Sequence, residues 1–303
     1  MVSSFPKFSK LNTNHKTFID KIFETFPPYS DHTFSSLHSW NIDDKVEICE
    51  LYGNCVVKLN DYLTNESFLS FIGNNRPAET VESLLNYAKS DQMLLSQLKL
   101  IPEHNLVNLE LDNEFEITED PDNYDYIYSI DELAELKGNK YRGKRNFVNR
   151  FSKLYKWEVL NLNLDDDKVW EEMQNLYHRW SEKQNEKEND IQNESRALNR
   201  IRESMNLIPL YSLGLRVENK MDGYSINELH NQGFATNLFE HADTNFTGVF
   251  PFLKMQTAIK LKELGYKYLS HQQDLGLEGL RKSKKAYYPT LYLKKYSIRK
   301  IDK

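Results

Sequence analysis

Three strand-like stretches in a row, followed by one amphipathic helix, restrict the fold of this chain more than any other feature of its sequence. Residues 208–217, 220–229 and 233–240 read as three successive strands of ordinary length. Residues 252–264 then repeat apolar side chains at helical spacing, and Gly265 stands where a helix C-terminus favours a positive φ. A strand over 266–270, a short helix near 277–284 and a last strand over 287–297 follow. Upstream lie a strand at 156–162, a helix at 165–183 and, after a charged Asn-rich link, a helix at 194–205. Strands and helices in this order call for an α/β layered architecture, a mixed sheet packed against helices.

The first half is a rougher copy of the same plan, with no residue-level repeat. A helix over 16–26 ends at Pro27-Pro28, and Ser30 or Asp31 caps a short second helix carrying Phe34, Leu37 and Trp40. Strands at 46–53 and 54–60 read as a hairpin turning at Gly53-Asn54, with Gly first. A strand at 68–72, a helix opened by Arg76-Pro77, a strand and short helix within 94–111, and a strand at 125–130 follow, with Asp131 as the cap of the next helix. Residues 110–125 hold eight acidic side chains and no Lys or Arg, which reads as a solvated edge or loop. Residues 137–156 hold eight Lys or Arg and no acid, on a helix with Tyr141, Phe147, Phe151 and Leu154 inward and Lys140, Lys144, Arg145 and Lys153 exposed. The flip places a domain boundary near 136, dividing the chain into 1–136 and 137–303.

A hydrophobic fraction of 39% supplies a packed core, and a net charge of −6 with 28% charged residues excludes a wholesale polyanion binder. Cys49 and Cys55 are the only cysteines, which points to a reduced setting. The N-terminus has no apolar segment of signal-peptide length, and no run approaches the roughly 20 apolar residues of a membrane helix. The expected location is the cytoplasm.

Three motifs carry a resemblance: PPYSDHTFSSLHSW (27–40), YDYIYSIDELAELKGNKYRGKRNFVNRF (124–151) and DLGLEGLRKSKKAYYP (274–289). Through them the chain resembles the bacterial family related to the C-terminal domain of phosphatidylglycerol lysyltransferase. The resemblance implies an α/β (α+β) protein with two tandem GNAT-like domains, their mixed central sheets flanked by helices. It also implies aminoacyl or acyl transfer to an amine or hydroxyl, because the lysyltransferases and the Fem-type enzymes take an amino acid from aminoacyl-tRNA. Where the family has Glu-Lys-Ala-Asp this chain has Glu240-His241-Ala242-Asp243, and where the family has an Asn-Arg-Glu-Glu-like run it has Ser270-His271-Gln272-Gln273. The run DTNFTGVFP (243–251) lacks the Arg/Gln-x-x-Gly-x-Gly/Ala loop with which GNAT enzymes hold coenzyme A.

Transfer from an activated ester needs an aligned nucleophile, a proton acceptor and a stabilised oxyanion. Glu240, Asp243, Asp274 and Glu228, which alternates with Ile226, are the candidate catalytic carboxylates. His241, His271, Arg281, Lys284 and Tyr287 are the candidate substrate-binding residues, the last three in a second basic, Tyr-rich segment over 281–300 that suits phosphates. The plainer readings stand beside these: Asp243 as a cap, His241 exposed, Glu228 facing solvent, Asp274 turning the chain, and the lysines as the solvated face of a strand. No histidine spacing fits a metal, and no serine-nucleophile elbow or phosphate loop is present. Three readings follow. The first is an aminoacyl- or acyltransferase with aminoacyl-tRNA or acyl-CoA as donor and a small-molecule or peptide-like acceptor. The second is an ordinary acyl-CoA-dependent N-acyltransferase, and the third a catalytically silent GNAT-fold binding protein. Donor, acceptor and oligomeric state stay open.

Overall fold

A computed structural model describes residues 2–61, 64–107, 109, 114–183 and 188–301. In chain order the elements begin with β1 (Ser9–Lys10), α1 (Lys16–Ile22), α2 (Phe34–Ser39), β2 (Glu47–Leu51), β3 (Asn54–Asn60) and β4 (Ser67–Ile72). They continue with α3 (Pro77–Ser90), β5 (Leu94–Pro102), β6 (Phe115–Glu119), β7 (Asp125–Ser129), α4 (Ile130–Glu135) and α5 (Arg142–Leu154). Then come β8 (Trp157–Asn161), α6 (Asp167–Ser181), α7 (Glu188–Ser204), β9 (Leu210–Val217), β10 (Lys220–Leu229) and β11 (Phe234–Ala242). The last are α8 (Val249–Glu263), β12 (Tyr268–Ser270), α9 (Glu278–Lys285), β13 (Leu291–Leu293) and β14 (Lys295–Lys300).

Packing divides the chain into two units. The first comprises Met1–Asp125, Gln273–Arg281 and Tyr292–Lys303, and the second Tyr126–Gln272 and Lys282–Leu291. A single cut at 136/137 does not separate them, since both residues lie in the second unit. The C-terminal segment, expected to belong with the second half throughout, returns to the first.

In the first unit the sheet order is β1-β2-β3-β4-β5-β14-β6. β4 and β5 run parallel, joined through α3, whose Val81, Leu84, Leu85 and Ala88 recur at i, i+3, i+4 and i+7 and pack on Val56, Leu69, Phe71 and Leu98. The hairpin turn falls one residue earlier than expected. Tyr52 and Gly53 are its loop residues, both with positive φ (55° and 84°), the primed geometry that matches strand twist. Asn54, the expected second turn residue, instead opens β3, its buried amide on the Asn75 carbonyl at 2.7 Å. Cys49 and Cys55 stay reduced because Cys49 pairs with Val56 and Cys55 with Glu50, so their side chains lie on opposite faces. Burial pushes the Cys49 thiol up to about 12.

β14 inserts between β5 and the edge strand β6, antiparallel to both. The last strand expected over 287–297 is therefore two strands in different sheets. A positive φ at Tyr288 (55°), ahead of Pro289, prevents strand geometry from starting at 287. The acidic stretch holds an edge strand, β6, while residues 110–113 of it lie outside the described residues. Its carboxylates meet the cations of residues 294–300: Lys294 with Glu119 at 3.4 Å, Arg299 with Glu116 at 2.6 Å, and Lys300 with Glu114 at 3.5 Å. At the strand's start the fully buried Lys295 ammonium lies 3.0 Å from the equally buried Asp125 and also pairs with Asp31. Ser30 donates its backbone N–H to Asp125 at 3.0 Å, and the Gln273 amide donates to Asp31 at 2.9 Å.

In the second unit the sheet order is β13-β7-β12-β11-β10-β9-β8, with β11 and β12 parallel across α8 and the other described pairings antiparallel. Helix α8 ends as expected at Gly265 (φ 88°). The Gly265 and Tyr266 N–H groups donate to the Lys262 and Leu261 carbonyls at 2.9 and 3.0 Å, a Schellman closure. Its start lies one turn earlier than the pattern suggested, and Pro251 fits because the first turn has no intrahelical partner for its missing N–H. Ser129, not Asp131, caps α4, accepting the Glu132 N–H. α5 and α8 pack Tyr141, Val148, Phe151, Phe252 and Leu253 on Leu213, Leu215 and Ala242 of the sheet. Phe147 and Leu154, expected inward, are exposed.

Replacing Lys295 with Ala strands two buried carboxylates, so Lys295→Ala is expected to cost about 3–5 kcal/mol, measured by urea unfolding. Adding Asp125→Asn to Lys295→Met is expected to restore part of that loss. A single-variant cost below about 1 kcal/mol contradicts a buried ion pair here.

Candidate active site

Strand parity decides which face of the second sheet receives each polar side chain. β10 and β11 pair Ser225 with Glu240 and Tyr224 with His241, so these two pairs occupy opposite faces. The register shifts after Ile226, leaving Leu238 as an extra residue in β11. Beside that irregularity, on the α8 side, Asn237 donates to Ser225 and Asn227 at 3.0 and 3.1 Å.

Glu240 projects toward α8, and Lys254 of that helix answers it: Nζ lies 3.1 Å from Glu240 Oε1. The same ammonium lies 2.9 Å from His271 Nε2 and 3.2 Å from Nδ1, just beyond the end of β12. It also stands 5.3 Å from the centroid of the Tyr287 ring, which Lys144 of α5 approaches to 3.9 Å. The Tyr287 carbonyl accepts the Tyr141 hydroxyl at 3.1 Å, which fixes the backbone that carries the ring. Lys284 donates to the carbonyls of His271 at 2.6 Å and Gln272 at 3.3 Å, holding the chain after β12 in place. Tyr128 meets the His271 ring edge to face at 5.3 Å.

These neighbours set protonation. Burial first, then Lys254 and Lys284, hold His271 well below the usual histidine range, so a neutral ring accepts from Lys254. Burial, then Lys254, lowers Lys144. Burial, then Glu240, pushes the Tyr287 phenol up. Glu240 Oε2 is buried and has no hydrogen-bond partner, while Oε1 is engaged by Lys254. Such an atom costs about 1–3 kcal/mol unless something binds to it.

Of the nine residues nominated from sequence, Glu240, His271, Lys284 and Tyr287 come together. Glu228 lies on the other face with Ile226, 3.6 Å from His230, so alternation with Ile226 directs it away from Glu240. His241, expected at a cleft or exposed, is buried on that face against Tyr177, Trp180 and Tyr224, 3.2 Å from Glu194. Asp243 accepts the Asn245 N–H at 3.0 Å and pairs with Lys183 at 2.7 Å. Asp274 and Arg281 belong to the first unit, where the fully buried carboxylate accepts Arg281 Nε at 2.8 Å and Nη2 at 2.9 Å. Asp274 also takes the Gly276 N–H at 2.9 Å, and Gly276 (φ 74°) leaves no room for a Cβ beside Asp122.

Lys254 and Lys144 were not nominated, and Lys144 was expected in solvent. Both are signalled by helical spacing. Lys254 begins the i, i+3, i+4, i+7 stripe completed by the buried Thr257, Ala258 and Leu261. Lys144 falls between Tyr141 and Val148 on the buried stripe of α5.

Two mixed sheets flanked by helices, with a polar cluster where the parallel β11–β12 pair ends, define a tandem GNAT-like fold. The chain belongs to the phosphatidylglycerol lysyltransferase C-terminal family, whose model matches residues 23–299. A conserved protein of unknown function from Bacteroides thetaiotaomicron is similar at 24% identity and a TM-score of 0.83, over 99% of this chain and 100% of that one. L-PGS from Bacillus licheniformis is similar at 14% identity and a TM-score of 0.58, over 88% and 87%. FemX is similar at 10% identity and a TM-score of 0.59, over 96% of each chain. At these identities the likeness shows the fold. A search of curated protein sequences finds no match. Among the described residues no helix is long and apolar enough to cross a membrane.

His271 is expected to stay neutral well below pH ~6.5 in the folded chain, followed through its imidazole resonances by NMR. Because its folded value is depressed, its contribution to stability is complete above pH ~6.5 and declines as pH falls further. A titration near 6.5 contradicts the buried, lysine-flanked placement.

Proposed function

We propose that the chain is an aminoacyl- or acyltransferase that passes an activated acyl group to an amine or hydroxyl acceptor. Its reacting centre is Glu240, Lys254, His271 and Tyr287. The observation that carries this reading is the half-engaged Glu240 carboxylate, with Oε1 on Lys254 and Oε2 buried and unpartnered. In an amine reaction Oε2 accepts a proton from the acceptor nitrogen as that nitrogen attacks the ester carbonyl carbon. The carbon–oxygen bond to the donor's leaving oxygen then breaks, and that oxygen takes up the proton. Lys254 supplies positive charge beside the carbonyl oxygen while it is an oxyanion, and neutral His271 orients Lys254.

The start of α8 favours a donor other than acyl-CoA. A helix N-terminus binds pyrophosphate through free N–H groups. Here Val249 N–H is already bonded to Phe246 O at 3.1 Å, and Pro251 has none. A Cβ at Gly248 would stand 2.5 Å from the Phe147 carbonyl oxygen, so α5 closes over this end. The surface of α5 favours an RNA-borne donor. Arg142, Arg150 and Lys153 are exposed, with no ion pair among the described residues, and Phe147 beside them offers a face for stacking. Arg281 and Lys284, nominated for anions, are engaged within the protein. The family's lysyl transfer supports an aminoacyl donor, and the two reduced thiols suit the cytoplasm.

Glu240→Gln is expected to slow single-turnover transfer from aminoacyl-tRNA by about 10²–10⁴-fold in a variant whose circular dichroism shows it folded at the assay temperature. A variant as fast as wild type removes Glu240 from the reaction. A wild type that transfers from neither aminoacyl-tRNA nor acyl-CoA points instead to a silent binding protein. In a gel shift with charged tRNA, Arg150→Ala and Lys153→Ala are each expected to flatten the salt dependence by about one unit of slope. Unchanged slopes place the RNA elsewhere.

A further inference from the structure

Two cations press on one aromatic ring in the second unit, and only one of them has a carboxylate. Lys254 is answered by Glu240 at 3.1 Å. Lys144, 3.9 Å from the Tyr287 centroid, has no ion pair or hydrogen bond among the described residues. Half-buried, it is partly cut off from water and is repelled by Lys254, which stands 5.3 Å from the same centroid. The ring's negative face holds each cation but leaves a net positive charge around it. Burial, then Glu240, pushes the Tyr287 phenol up, so its hydroxyl keeps its proton as a donor. Two ammonium groups thus stand against one ring, and no carboxylate among the described residues answers Lys144.

We infer that Lys144, Lys254 and Tyr287 form an oxyanion-binding subsite that takes a carboxylate or phosphate carried by the acceptor. The assignment to the acceptor rests on the transfer reading above; the subsite itself rests on the uncompensated charge. Lys254 would then link the bound anion to Glu240, so that anchoring the acceptor and removing its proton share one side chain. Lysine ammonium groups are point charges without the planar fork of arginine, and they accept either anion geometry.

The test is thermal unfolding of the full chain in sodium phosphate and in sodium acetate, each against sodium chloride of equal ionic strength. Stabilisation that rises as the logarithm of one plus ligand over Kd is expected with at least one anion. Phosphate alone identifies a phosphorylated acceptor, acetate alone a carboxylate-bearing one, and both identify an oxyanion of either kind. Lys144→Met is expected to weaken Kd at least tenfold, and Lys144→Arg to retain most of the affinity. The wild type supplies a second reading: by NMR the Lys144 ammonium titration moves up when the anion is bound. No stabilisation beyond chloride, an unchanged Kd in Lys144→Met, or a Lys144 titration indifferent to the anion overturns the subsite. A wild type that binds the anion through Lys144 yet transfers nothing overturns the transfer reading alone. An active enzyme without the anion effect overturns the subsite alone.

Discussion

The first unit depends on a single fully buried ammonium. Lys295 lies between Asp125 and Asp31 at the entry of a strand that fills the gap between β5 and β6. Taking these ions out of water costs several kcal/mol for each, so the strand is admitted only with its partners in place. Those partners come from distant segments: Ser30 and Asp31 near the N-terminus, Asp125 where the chain leaves the first unit, and Gln273 where it returns. Ile298 of the same strand packs among Val56, Leu69 and Leu98. The unit is therefore complete only when residues near 300 have joined residues near 30, a high-contact-order closure that is slow in kind.

That closure explains what the sequence hid. Helical and strand periodicity made the element order legible, from α3 to the Gly265 terminus, because each pattern lies within a dozen residues. The acidic run and the basic tail were legible as blocks but not as partners. Glu116 and Arg299 are 183 positions apart, and no local pattern links them. Read separately, the tail suggested a polyanion site. Joined through β6 and β14, Lys294, Arg299 and Lys300 are answered by Glu119, Glu116 and Glu114. Lys282 and Lys285 of α9, like Arg142, Arg150 and Lys153 of α5, stay exposed with no ion pair among the described residues. The cut at 136 failed to separate the units for the same reason: composition changes there, but the chain's return to the first unit leaves no compositional mark.

The site divides along similar lines. Glu240, His271 and Tyr287 were readable because strand ends and loops collect polar residues. Glu228 went astray by parity, since 225 and 240 share a face and 228 is an odd number of residues from 225. Asp274 and Arg281 were nominated through the best-matched motif, yet their geometry is that of a clamp, a buried carboxylate holding one guanidinium by two bonds. Lys254 and Lys144 were missed because a lysine is taken as solvated by default. On a helix that default is overruled whenever the lysine falls on the apolar stripe, and both do.

Helix α8 then relates the fold to its chemistry. A helix in this position can present its N-terminal amides to an anion, but Gly248, Pro251 and the backbone of α5 close that end. One turn further on, the same helix presents a side chain, Lys254, whose ammonium reaches Glu240 on β11 and His271 after β12. Positive charge is thereby moved from the mouth of the helix to its flank, beside the carboxylate with a spare oxygen. Amides at a helix end grip an anion but accept no proton from it, whereas a lysine paired with a glutamate couples charge to a proton acceptor. Lys254 so placed supports the proposed proton-coupled transfer over the holding of a pyrophosphate, and Lys144 beside the same ring has no carboxylate partner among the described residues.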